Sequence, residues 1–187
     1  MRLNTFAYYA DFFICIAVIG LQLMLMPPDA TWLLAAQWVV AVAAGLLVWT
    51  ALEYSVHRWL YHRVPFFKQF HDAHHDEPNS FIGAPPVIGV AIIVAISFLP
   101  TAAIGFHVAC GATTGMLIGY MAYMLVHHAS HHWNPRPKTW LYQLRRHHAL
   151  HHFHAEEANF GIVTTFWDHA FGTARGGPNP QPRYNAA

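Results

Sequence analysis

The sequence predicts an all-α integral membrane protein. The expected architecture is about four transmembrane helices in two hairpins, with a cytoplasmic helical cap holding a His-rich dimetal site. Three observations predict it. Hydrophobic residues make up 55% of the 187 residues and charged residues only 10%, where a soluble domain carries about 25% charge. Long segments of the chain carry almost no charge. Sixteen histidines gather where those segments end. So few charges could not coat a water-facing surface, and so apolar a chain is not intrinsically disordered. A net charge of +1 supplies no basic stripe, which argues against nucleic-acid binding.

The first expected span, near 6–26, is apolar except for Asp11 and Gln22. The second, near 32–52, has no charge. Each reaches the roughly 20 helical residues that a bilayer requires. Pro27, Pro28 and Asp29 break the chain between them. From Phe81 to Val126 the chain runs 46 residues without Asp, Glu, Lys or Arg. As one helix it would be about 69 Å long, roughly twice a bilayer core. It must therefore fold back, near Pro100 and Gly105, into spans near 84–104 and 108–126. A water-soluble bundle is the competing reading, but uncharged runs of this length suit lipid better. His-rich segments at 53–80 and 127–173 and a flexible tail at 174–187 complete a single domain over 1–187. Cys15 and Cys110 lie in apolar runs and read as buried small hydrophobes rather than a disulfide.

The basic residues orient the spans. Arg2 precedes the first. Arg58, Arg63 and Lys68 follow the second, and Arg136, Lys138, Arg145, Arg146, Arg175 and Arg183 follow the fourth. Neither expected hairpin turn holds one. The positive-inside rule then puts both termini and both His-rich segments in the cytoplasm. A signal peptide fits the N-terminus less well, because Asp11 interrupts the apolar stretch and no small-x-small cleavage site follows it.

All histidines but His107 fall on the cytoplasmic side. Residues three and four apart on a helix share a face. His71, His74 and His75 therefore project together, and His148, His151 and His152 repeat the pattern. His127 and His131 are four apart, as are His128 and His132, so either pair could grip one ion. His57 and His62 are five apart and converge only if the helix ends or bends between them. Neutral imidazole binds iron, zinc, copper and nickel. Ten such side chains suit two ions. A metal-storage tract would be compositional and repetitive, whereas these spacings are fixed and set between helices. His107 and His169 read as structural.

The boxes HRWLYH (His57–His62), HDAHH (His71–His75), HHASHH (His127–His132) and HALHH (His148–His152), with the trailing NFGIVTTFWDHAFGT (Asn159–Thr173), resemble the fatty acid hydroxylase/sterol desaturase superfamily of membrane di-iron enzymes. By position, the resemblance implies metal ligation by His57, His62, His71, His74, His75, His127, His131, His148, His151 and His152. The pair His128/His132 stays open as an alternative to His127/His131, and His147 and His154 are extra. Asn159 and Asp168 either orient ligands or fold the cap. Glu53 either accepts the other N–H of His57 or pairs with a cation such as Arg58.

The resemblance also implies two Fe ions, for which Zn can substitute in purified protein, and O2 as co-substrate. The reaction implied is hydroxylation, or desaturation, of an unactivated C–H bond in a lipid from the bilayer: a fatty acyl chain, sphingolipid or sterol. A carotenoid ring hydroxylase of the same superfamily is the alternative. No GxGxxG or iron–sulfur cysteine spacing is present, so electrons are expected from a separate ferredoxin- or cytochrome-type donor. Arg136, Lys138, Arg145 and Arg146 could dock such a donor or meet anionic lipid heads. Other classes compete. A membrane haem protein would place single histidines inside facing spans. A metal-binding or transport protein would place ionisable groups near the bilayer midplane. A zinc hydrolase would turn over without oxygen or reductant.

Overall fold

A computed structural model describes residues 2–28 and 31–177. Asp29 of the first expected turn, and residues 178–187 of the expected tail, lie outside the described residues. Seven α-helices, one π-helical segment and no strand occur among the described residues.

Local chemistry sets most helix starts. Helix α1 (Thr5–Met24) begins where the Asn4 side chain accepts the Ala7 N–H at 2.8 Å, satisfying one of the free amides of a first turn. Thr31 does the same for α2 (Trp32–Ser55) and Thr139 for α6 (Trp140–Phe153). Helix α3 (Pro65–Asp76) starts on a proline, which lacks the amide a first turn leaves unpaired anyway. Helices α4 (Ile88–Ala102), α5 (Phe106–His132) and the short α7 (Phe166–Ala170) complete the set.

Among the described residues, three stretches are long and apolar enough to cross a membrane: α1, the continuous Trp32–Tyr61, and α5. Helix α4 has 15 residues, about 22 Å against a hydrocarbon core of about 30 Å. It starts at Ile88 rather than 84 because Pro85 and Pro86 hold the chain extended. The fold-back near Gly105 is present, with that glycine at φ +155°.

The outer surface identifies the solvent. Only 22% of the apolar window of α1 and 17% of that of α2 are buried. Phe13, Ile16, Leu47 and Val48 are among the large side chains left exposed. A patch this extensive suits contact with lipid. Lipid removes the hydrophobic drive between helices, so close packing must hold them together. Helices α2 and α5 meet through glycines. A Cβ on Gly115 would run into the Val42 carbonyl, one on Gly45 into that of Ala112, and one on Gly111 would lie 2.6 Å from that of Trp38. Gly119 lies against Trp49. These small residues serve helix packing.

Polar pairs add to this. Thr114 donates to Gln22 at 3.0 Å and Ser97 to Thr113 at 2.9 Å. Asp11 explains its place in an apolar helix: it accepts from Tyr120 Oη at 2.8 Å and from the Val87 amide at 2.9 Å, just ahead of α4. Its carboxylate thereby ties α1 to α5 and to the start of α4.

Candidate metal centre

Helices α2 and α5 end at the same place, where α3, α6 and the 158–177 segment cover them. The π-helical segment Val56–Tyr61 continues α2 directly. On an α-helix, residues five apart point about 140° away from each other. The wider π turn, with its i→i+5 bonding, brings His57 and His62 round to one side, with ring centroids 5.4 Å apart.

Nine of the ten expected histidines form two groups whose ligand atoms lie within 4.8 Å of one another. One contains His74, His127, His131, His148 and His152. The other contains His57, His62, His71 and His151. His75 falls in neither. It sits between them, with Nε2 3.0 Å from His71 Nε2 and its ring stacked on His152 at 4.0 Å. His128 and His132 stack on each other at 4.3 Å on another side of α5, facing Tyr8 and Phe81. His147 donates to Asp168 at 2.9 Å, His154 is exposed, and His107 pairs with Gln37.

Hydrogen bonding alone does not account for this packing. His71 Nε2 has three imidazole nitrogens around it, from His57 at 3.2 Å, His62 at 3.0 Å and His75 at 3.0 Å. One ring nitrogen carries one N–H or one lone pair, so it cannot serve all three. In the other group the Nε2 atoms of His74, His127, His131 and His148 follow one another at 2.9–3.3 Å. Metal–nitrogen bonds of about 2.1 Å place neighbouring ligand atoms about 3.0–3.4 Å apart. Both ring nitrogens of buried His152 lack any partner. The donor set fits two imidazole-binding cations.

The protonation states agree. Burial, then the neighbouring imidazoles, pushes His74 down to about 4. Burial likewise brings His62 to about 4, and His151 to about 3. His71, His148 and His152 are depressed further, again chiefly by burial. The cluster is therefore neutral at pH 7 and ready to ligate. Two tautomers are fixed. His57 donates through Nδ1 to the Phe160 carbonyl at 2.5 Å, and His151 through Nδ1 to that of Ala158 at 2.8 Å. Each leaves its Nε2 lone pair facing the cluster.

The sequence profile of the fatty acid hydroxylase family matches residues 42–173, which hold every one of these histidines. The chain belongs to the fatty acid hydroxylase family. It is 34% identical over 146 residues to the fatty acid 2-hydroxylase of Rattus norvegicus, covering 69% of this chain and 38% of that protein. It is 31% identical over 144 residues to the dihydroceramide fatty acyl 2-hydroxylase FAH2 of Arabidopsis thaliana, covering 72% and 60%. The chain thus spans 38% to 60% of these relatives' length. The solved structure of full-length scs7p, with only its hydroxylase domain visible, matches the fold. Its TM-score is 0.73 at 24% identity, covering 94% of this chain and 68% of that one.

In this member of the fatty acid hydroxylase family, Glu53 takes a role that sequence reasoning missed, and Asp168 takes the second of its two expected readings, folding the cap. Glu53 pairs with neither His57 nor Arg58. Its buried carboxylate accepts the Ile162 amide at 2.5 Å and the Val163 amide at 3.3 Å. Asp168, fully buried, accepts from the Phe160 amide, the Gly161 amide, Thr173 Oγ1 and His147. Burial works to raise its pKa, but the bonds from His147, Thr173 and Gly161 prevail and hold it below the usual value. Residues 174–177, the described start of the expected tail, bond to the cap. Asn159 bonds both ways with the Arg175 backbone, and Arg146 donates to the Gly177 carbonyl. The two carbonyls that orient histidines carry no sequence signal, since any residue supplies one.

Proposed function

We propose that this protein is a membrane di-iron hydroxylase acting on the acyl chain of a fatty acid or ceramide-type lipid, with O2 as co-substrate. The carrying observation is the pair of converging imidazole groups, in one of which backbone carbonyls behind His57 and His151 leave the Nε2 atoms facing inward. The relatives named above are acyl 2-hydroxylases, which supports carbon 2 as the site of attack. We read His57, His62, His71, His74, His75, His127, His131, His148, His151 and His152 as the ligands. We read four spans, with the cage and both termini cytoplasmic.

Bound iron supplies the power to oxidise an unactivated C–H bond, which no side-chain acid, base or nucleophile can attack. The protein's residues position and shield. Phe160 and Ala158 hold two ligands in the required tautomer. The rings of Phe160 and Tyr61 cover the cage, with Phe160 5.3 Å from His62 and Tyr61 stacked on His71 at 5.5 Å. They keep water from the reacting face. The lipid-facing helices let an acyl chain approach sideways without crossing water. Electrons come from a separate ferredoxin- or cytochrome-type donor.

The test is expression in cells lacking acyl 2-hydroxylase activity, with lipid profiling under 18O2. The reading predicts 2-hydroxy acyl lipids carrying one 18O. Products oxidised elsewhere would move the substrate assignment, and an unchanged lipid profile would contradict the reading.

A further inference from the structure

Beside the cage, and separate from the lipid-facing helices, lies an open cleft of about 770 Å3 lined by His152, His154, Glu156, Glu157, Ala158 and Arg175. We propose that this cleft is the loading port through which a divalent cation passes from water into the histidine cage. The inference rests on the metal-centre reading above.

His152 carries the argument. It is 7% exposed and neither ring nitrogen has a partner. It belongs to the five-histidine group and also lines the cleft. One unpartnered side chain thus joins the two spaces. His75 stacks on it at 4.0 Å, has an unpartnered Nδ1 3.9 Å from Glu156 Oε1, and reaches His71 through Nε2 at 3.0 Å. The donors are graded in burial. His154, Glu156 and Glu157 are exposed, His75 is half-buried, and His152 is buried. They are graded in chemistry too. Carboxylates suit a hydrated dication, and imidazoles hold a transition metal once its water is shed. Among the described residues lining the mouth, Glu156 and Glu157 face the guanidinium of Arg175, and nearby Lys68 is paired with Asp72, which leaves the mouth net negative and concentrates cations there.

The test uses the full-length protein in detergent, stripped by a chelator and then mixed with Co2+ alone. Loading is followed by visible absorption in rapid mixing, at low and high salt. The double variant Glu156→Gln/Glu157→Gln is expected to load about tenfold more slowly at low salt, with the gap closing as salt rises. Arg175→Gln is expected to load faster, since its fold contacts are made by backbone atoms. All are expected to reach the same final Co2+ per chain. Glu157→Gln alone, which touches no histidine of the cage, is expected to show part of the slowing even if the Glu156 change disturbs His75. Unchanged rates at low salt would overturn the port. So would a salt-independent slowing with less metal bound, because the carboxylates would then be holding the cage rather than feeding it. If the unaltered chain binds no Co2+, the metal-centre reading itself fails.

Discussion

Glu53 and Ile162 are joined across 109 positions of sequence, with the buried carboxylate of a membrane helix accepting a backbone amide of the cap at 2.5 Å. This bond, with its neighbour to Val163, fixes the loop whose Phe160 carbonyl orients His57. Removing the acceptor leaves two amides unpaired, at about 1–3 kcal/mol for each buried group. Glu53→Ala is expected to lower the midpoint of thermal unfolding in detergent by on the order of 5–10 °C and to reduce bound metal. Glu53→Gln keeps one acceptor and is expected to fall between.

Asp168 is the hub of the same cap. Its two oxygens serve four donors, two of them backbone amides. Asp168→Asn puts an amide group against those donors and removes the charge that strengthens each bond. The expected loss is about 2–4 kcal/mol of stability, read by denaturation, with the proposed hydroxylase activity lost in parallel. Thr173→Ala removes one donor only and is expected to cost under about 1.5 kcal/mol.

The two histidine pairs near the end of α5 separate by position. His127 and His131 lie in the cage, while His128 and His132 face Tyr8 and Phe81. Alanine at His127 or His131 is expected to abolish product formation. Alanine at His128 or His132 is expected to leave metal content unchanged. Equal loss from both pairs would count against the ligand set.

Acid should loosen the metal-free protein. His62 and His74 titrate near 4 when folded, against an ordinary value of 6.5. Between those limits the unfolded chain binds protons that the folded chain refuses, so stability falls as pH falls. It is fully present above about 6.5 and is lost progressively down to about 4. Thermal unfolding of the stripped protein at pH 7.5 and at pH 5 checks this. Saturating metal should shift the loss to lower pH, because metal and proton compete for the same nitrogens.

Much of the site is legible in the sequence because helical spacing is local. The HxxHH and HxxxH patterns give one face of α3, α5 and α6 without knowledge of the fold. The π turn at Val56–Tyr61 is not legible, since its residues carry no distinctive pattern; only the five-residue gap between His57 and His62 hints at it. The role of Glu53, and which of its two readings Asp168 takes, are hidden for another reason. Their partners are backbone amides of an irregular loop, brought near by tertiary packing. The short α4 was readable in part, because Pro85 and Pro86 forbid a helix where hydropathy alone would begin one.

The most direct test of the central claim counts metals per chain by mass spectrometry in the purified full-length protein. Samples are the unaltered chain, His74→Ala and His151→Ala. These residues belong to different groups. The account predicts about two iron or zinc ions in the unaltered chain and a loss of about one in each variant. One ion or none in the unaltered chain, or two retained in both variants, would contradict it.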